Sequence, residues 1–227
     1  MTLPRFAWAQ SDTSSMVRMP IGTATIWGNV DGVAIEGMVQ GPARAQTPLQ
    51  VVCVFEYTEG DIFVSPPALP PAANGLLHLD EALNGLITEI RKSGRFAGHA
   101  FETLLLTPPP GAIAAGQLLM VGLGDRNKFT PALMTDISRT AMREALRLGV
   151  SSYAFGSDLK DAGIESPTAE VAGYIVKGAM EAYRTEIWLR GKRMSKGSPL
   201  TKMTILAGPP YFITAGGGIQ KAIAELK

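Results

Sequence analysis

The chain is short of the residues that reactive or membrane chemistry calls for. One cysteine, Cys53, occurs in 227 residues. No intramolecular disulfide can form, so the framework must be a packed core, as expected in a reducing compartment. Cys53 lies in the apolar run Val51–Phe55 and reads as a small buried hydrophobe rather than a reactive thiol. No run reaches the roughly 18 apolar residues of a membrane-crossing helix. Ala7-Trp8-Ala9 has no apolar stretch ahead of it, which argues against a secretion signal. A cytoplasmic protein without a membrane partner is expected. Neither sign of charge is in excess, with 21 Lys and Arg against 20 Asp and Glu, which speaks against a nucleic-acid binder or an acidic disordered chain. Histidine is scarce: His78 and His99 stand far apart and without metal-ligand spacing.

What remains is a soluble globular composition, 46% apolar, long enough for one ordinary domain. The pattern is organised around Gln117–Pro131. Leu118–Val121 is a continuous apolar run suited to a strand buried on both faces. Gly122 and Gly124 let the backbone turn, and Thr130-Pro131 reads as a helix start. Before it, residues 1–20 are expected as a loosely attached arm. Thr23–Val39 is expected as a hairpin of two edge strands turning at Asp31-Gly32, and Leu49–Tyr57 as a central strand. A proline-rich link, Ser65–Asn74, precedes a first helix over Leu79–Lys92, with Asp80 and Glu81 in its first turn complementing the macrodipole. Phe101–Thr107 is expected to pair with Gln117–Leu123. A helix with Ile137, Ala141 and Ala145 inward follows, then a strand at Val150–Phe155, a loop at Ser157–Pro167 and a helix at Thr168–Arg184. A strand at Met203–Ala207 and a helix from Gly218 finish the chain. The expected fold class is α/β, a three-layer sandwich with a mixed, mostly parallel sheet and helices on both faces.

Several pieces then fall in a familiar order: Leu79–Leu83 (LDEAL), Phe101–Leu106 (FETLLL), Leu118–Gly124 (LLMVGLG), Phe129-Thr130 and Ala182-Tyr183-Arg184. In this order the chain resembles the N-terminal domain of the leucyl (cytosol) aminopeptidases, peptidase family M17, whose fold is macrodomain-like. The resemblance implies such a domain over 21–184 and a linker strand and terminal helix over 185–227. It also implies that the family's two metals and its catalytic lysine and arginine belong to a C-terminal domain. No Asn-Thr-Asp-Ala-Glu-Gly-Arg segment occurs in this chain, so no catalytic or metal position carries over and no cofactor is expected.

Nor do the residues suggest chemistry of their own. Ser157-Asp158 and Ser151-Ser152 lack a histidine base and read as turn residues. For ligand binding, the candidates are the Gly122–Gly124 turn with Asp125, and Asn74-Gly75, where main-chain amides could hold a small anion such as an ADP-ribose-like nucleotide. Bulky Leu76-Leu77 and the acid Asp80 follow Asn74-Gly75, and Pro131 removes an amide, so a plain turn is the competing reading. The basic stretch from Arg184 to Lys202 reads as a solvated linker. Trp188 and Tyr211-Phe212 are candidates for a protein contact. The expected role is therefore non-catalytic, in assembly or regulation, through a protein partner or self-association. The alternatives are a nucleotide-binding module and one part of a split aminopeptidase.

Overall fold

The computed structural model describes residues 17–62 and 69–227. Most of the expected N-terminal arm, and Ser65–Ala68 of the proline-rich link, lie outside them. Seven strands form one sheet in the order β1-β2-β7-β6-β3-β5-β4. The strands are β1 (Ala24–Val30), β2 (Val33–Val39), β3 (Leu49–Val54), β4 (Thr103–Leu106), β5 (Gln117–Gly122), β6 (Ser152–Gly156) and β7 (Lys202–Ala207). The inner pairs β2·β7, β7·β6, β6·β3 and β3·β5 are parallel, and the outer pairs β1·β2 and β4·β5 are antiparallel. This is the mixed, mostly parallel α/β sandwich that the sequence suggests.

Local chemistry accounts for the outer hairpins. Asp31 and Gly32 turn β1 into β2 with φ of 51° and 89°, as a primed turn requires, and Asn29 Oδ1 accepts the Gly32 amide at 3.0 Å. A bulge between Ile26 and Gly28 brings Trp27 against Phe212, ring centroids 5.6 Å apart. Of this hairpin only β1 is an edge strand. Apolar Val33, Ile35 and Val39 are fully buried, and β2 is an inner strand held by β7.

Five helices cover the sheet: α1 (Gly75–Ala82), α2 (Leu86–Lys92), α3 (Leu133–Leu148), α4 (Thr168–Gly191) and α5 (Phe212–Leu226). One core joins α3, α4 and α5 to a sheet face through residues such as Leu119, Ile137, Tyr153, Ile175 and Ile219. A second, on the other face, joins α1 and α2 to Val52, Val54, Leu118 and Met120. β3, buried at every position, contributes to both.

Several elements differ from expectation, and α4 runs on past Arg184 to Gly191. The helix expected over Leu79–Lys92 is two helices, broken at Asn84 and Gly85 with φ of 55° and 79°. Asp80 sits near the end of α1 and caps α2: Oδ1 accepts the amides of Ile87 at 2.8 Å and Thr88 at 3.2 Å, and Oδ2 the Thr88 hydroxyl at 2.6 Å. α3 begins a turn after Thr130, at Leu133, and α5 begins at Phe212 rather than Gly218. The segment expected as a linker, 185–227, supplies β7, which is hydrogen-bonded to β2 and β6, and α5, whose Ala215, Ile219 and Ala222 lie in the core. Both belong to the domain itself, because without β7 nothing joins the β1–β2 hairpin to β6.

Candidate functional site

In a parallel sheet, ligands bind outside the carboxyl ends of the strands, where neighbouring connections leave for opposite faces. β3 leads to α1 on one face and β6 to α4 on the other, and β3 and β6 are adjacent. A cleft of about 930 Å³ opens at this end of the sheet. Val39–Arg44 after β2, Gly156–Asp161 after β6, Ala207–Pro209 after β7 and the start of α1 at Gly75 wall it, and Arg18 and Tyr211 stand among its lining residues.

Two carboxylates organise this region. Asp158, 9% exposed and at φ 52°, turns back so that Oδ2 accepts the Cys53 amide of β3 at 3.0 Å. Gly156 makes room, since a Cβ there would meet Asp158 Oδ1 at 2.9 Å. Oδ1 of Asp158 accepts nothing from the described residues. Asp161 reaches the amino end of α1, where Oδ2 accepts the Leu76 amide at 3.1 Å and the carboxylate also takes the Gly75 amide. Burial pushes Asp161 up to about 6, opposed by those amides and by His78. Burial also raises Asp158 well above the usual carboxylate range, with the charge of Asp161 adding to the effect and the Cys53 amide opposing it. Among the lining residues Arg18 and Arg44 are exposed, and neither forms an ion pair among the described residues.

The residues singled out in the sequence divide between this cleft and other duties. Gly75 lines it, and a Cβ there would lie 2.8 Å from Pro42 Cδ and 3.3 Å from Asp161 Oδ2. Asn74 is buried behind it as the α1 cap. Its Oδ1 accepts the Leu77 amide at 2.9 Å, and Nδ2 donates to the carbonyls of Ile62 at 3.1 Å and Asp161 at 3.2 Å. Gly122, Gly124 and Asp125 are not among the residues lining the cleft. At Gly122 a Cβ would meet the His99 carbonyl at 2.0 Å. The amides of Gly122, Leu123 and Gly124 donate to the carbonyls of Glu102, Val54 and Gly98, which leaves none of the three for an anion. Asp125 accepts the Asn127 amide at 2.9 Å, and that bond lowers its pKa.

Among the described residues no group of three His, Cys, Asp or Glu is placed to hold a metal ion. The Cys53 thiol is buried and its pKa raised by that burial. His99 pairs on the surface with Glu56 at 2.7 Å, and His78 lies at the cleft. Phe212 is buried against Trp27 and Tyr211 faces the cleft, while Trp188 stays 61% exposed. From the sequence Asp158 reads, with Ser157, as a turn residue, and Asp161 and the two arginines are not singled out. The available signal was an acid-rich loop directly after a buried strand ending in glycine.

A sequence profile of the cytosol aminopeptidase family, N-terminal domain, matches residues 51–185. A probable cytosol aminopeptidase of Burkholderia cenocepacia is 28% identical over 152 residues, 65% of this chain, and the chain spans 29% of that relative's length. A tomato leucine aminopeptidase superposes with a TM-score of 0.58 at 21% identity, covering 84% of this chain and 35% of that one. A Trypanosoma brucei macrodomain in complex with ADP-ribose superposes with a TM-score of 0.54 at 12% identity, covering 85% of this chain and 69% of that one. These structural likenesses give the fold, macrodomain-like α/β, and the profile spans more than half of the sequence. The chain belongs to the cytosol aminopeptidase family, whose N-terminal domain it carries.

Proposed function

We propose that this chain acts as a non-catalytic regulatory or assembly domain of the aminopeptidase N-terminal type, with the strand-end cleft as its working surface. One observation carries the reading: each acid at the cleft gives an oxygen to a main-chain amide, Asp158 to Cys53 and Asp161 to Leu76. They hold loops in place, whereas a hydrolytic centre needs carboxylates converging on metal or water. Assembly through a protein partner or self-association accompanies this role. Size-exclusion chromatography with light scattering tests it. An oligomer or a stoichiometric complex is expected, and a monomer that neither self-associates nor brings a partner through purification would overturn the assembly part.

A nucleotide module is the second reading, favoured by the place of the cleft in a macrodomain-like fold. The Asp161 carboxylate, seated on the α1 amides where a phosphate would lie, weighs against it, since like charge repels and the donors are already used. Calorimetry with ADP-ribose separates the two, and heat of binding would favour the module. A third reading, one part of a split aminopeptidase whose catalytic half is elsewhere, draws on the family profile over residues 51–185. A cytoplasmic setting fits all three.

A further inference from the structure

The last two turns of α4 stand clear of the domain. Arg184, Thr185, Ile187, Trp188, Arg190 and Gly191 are all exposed, and successive residues of a helix point to different sides of it. The tip is therefore convex. Three large apolar side chains are displayed on it: Ile187 is 36% exposed, Trp188 61% and Met194 78%. The turn that ends the helix sets the place of Met194. Arg193, at φ 60°, takes the left-handed position that glycine usually fills, and the Met194 amide donates back to the Leu189 carbonyl at 2.9 Å.

Cations surround these side chains. Arg190, Lys192, Arg193 and Lys196 are exposed and form no ion pair among the described residues. Lys192 Nζ lies 5.8 Å from the centre of the Trp188 ring. The neighbouring bases are already matched, Arg184 with Asp31 and Lys202 with Glu36. Glu186, the one acid between residues 184 and 202, accepts the Ser195 hydroxyl. On a chain with a net charge of +1, this cluster is a local excess.

We propose that the tip is a contact for an anionic lipid surface. Ile187, Trp188 and Met194 enter the headgroup boundary, and the unpaired cations lie over the lipid phosphates. The charge calls for an anionic partner, and a second copy on the same face would set like charges against each other. A convex tip offers no groove to an acidic peptide. The phosphates of a nucleic acid would leave Ile187 and Met194 in water. A bilayer takes both kinds of side chain: its surface attracts Lys and Arg, and its boundary accepts tryptophan and aliphatic groups. No helix among the described residues is long and apolar enough to cross a membrane. The contact is therefore with the surface alone, a departure from the sequence expectation of no membrane partner. None of these residues lines the strand-end cleft, so failure here leaves the proposed function untouched.

The test is co-sedimentation of the full chain with vesicles of equal parts phosphatidylcholine and phosphatidylglycerol, against phosphatidylcholine alone. Binding to the mixed vesicles is expected, and its release at about 1 M salt, where charges are screened beyond about 3 Å. Lys192→Ala with Arg193→Gly keeps the turn and removes two cations. It should bind about 25-fold more weakly, at about fivefold per cation. Trp188→Ala with Met194→Ala should weaken binding about tenfold or more. Mixed vesicles should also shift tryptophan emission to shorter wavelength, and Trp188→Phe should lose that shift. The proposal is overturned by no sedimentation with mixed vesicles, by equal sedimentation with neutral ones, or by binding unaltered in both double variants. An emission shift that survives Trp188→Phe, or binding of a DNA duplex but not of vesicles, would overturn it as well.

Discussion

At the scale of single residues, Asp161 is the informative one. Its pKa, about 6, stands above the ordinary 3.8, so folding favours the protonated form. The stabilisation from that proton is complete below about pH 4 and is lost as pH rises through about 6. Asp158, His78 and Tyr211 act on or respond to the same charge, so the two aspartates titrate together. Asp161→Asn keeps an acceptor for the Leu76 amide but cannot ionise. Its stability relative to the parent should therefore grow between pH 4 and 7, by at most about 3 kcal/mol for two pKa units. Urea denaturation at each pH measures this, and a difference that stays flat or shrinks toward pH 7 would contradict it. Neither aspartate was legible as a site residue in the sequence. Asp158 meets Cys53 across 105 positions and Asp161 meets Leu76 across 85, and local pattern carries no information about such partners. Asn74 was legible as a polar residue worth singling out, but its role as a cap to α1 and a donor to two distant carbonyls was not.

At the scale of elements, what reads well from sequence is what short-range chemistry decides. The Asp31-Gly32 turn, the largely apolar β3, the β4–β5 pair and the buried stripe of α3 all follow from alternation, helical period or turn residues. The break between α1 and α2 did not. The apolar spacing of Leu79, Leu83, Leu86, Ile87 and Ile90 satisfies one continuous helix, and only Asp80 reaching forward to Ile87 explains the second start. Contact between helices is set by small residues. A Cβ at Gly178 of α4 would lie 1.9 Å from the Thr135 carbonyl of α3, and one at Gly218 of α5 would lie 1.9 Å from the Ala169 carbonyl of α4. Backbone on both sides cannot yield as a flexible side chain does. Gly178→Ala should therefore push α3 and α4 apart and cost about 3 kcal/mol, despite alanine's higher helix propensity. Thermal unfolding checks this, and an unchanged or raised midpoint would refute the tight α3–α4 contact.

At the scale of the whole molecule, the family match ends at residue 185, yet the domain does not. β7 closes the sheet between β2 and β6, and α5 packs its Ala215, Ile219 and Ala222 into the larger core. A chain cut after residue 185 should lose the cooperative transition of the full chain, read by far-ultraviolet circular dichroism on heating. A sharp transition at the parent's midpoint would show that β7 and α5 are dispensable. The insertion of β7 was hidden from sequence because a strand's neighbours are chosen by the whole sheet, and Met203–Ala207 looks the same whether it sits at an edge or inside.

The non-catalytic role proposed above turns on what the acids at the cleft do. Asp158 and Asp161 secure loops around a cleft instead of converging on a reacting centre. The most direct measurement is hydrolysis of leucine-p-nitroanilide by the purified chain supplemented with manganese or zinc. No release beyond that of the metal salts alone is expected. Metal-dependent release that follows the protein through successive purification steps would contradict it.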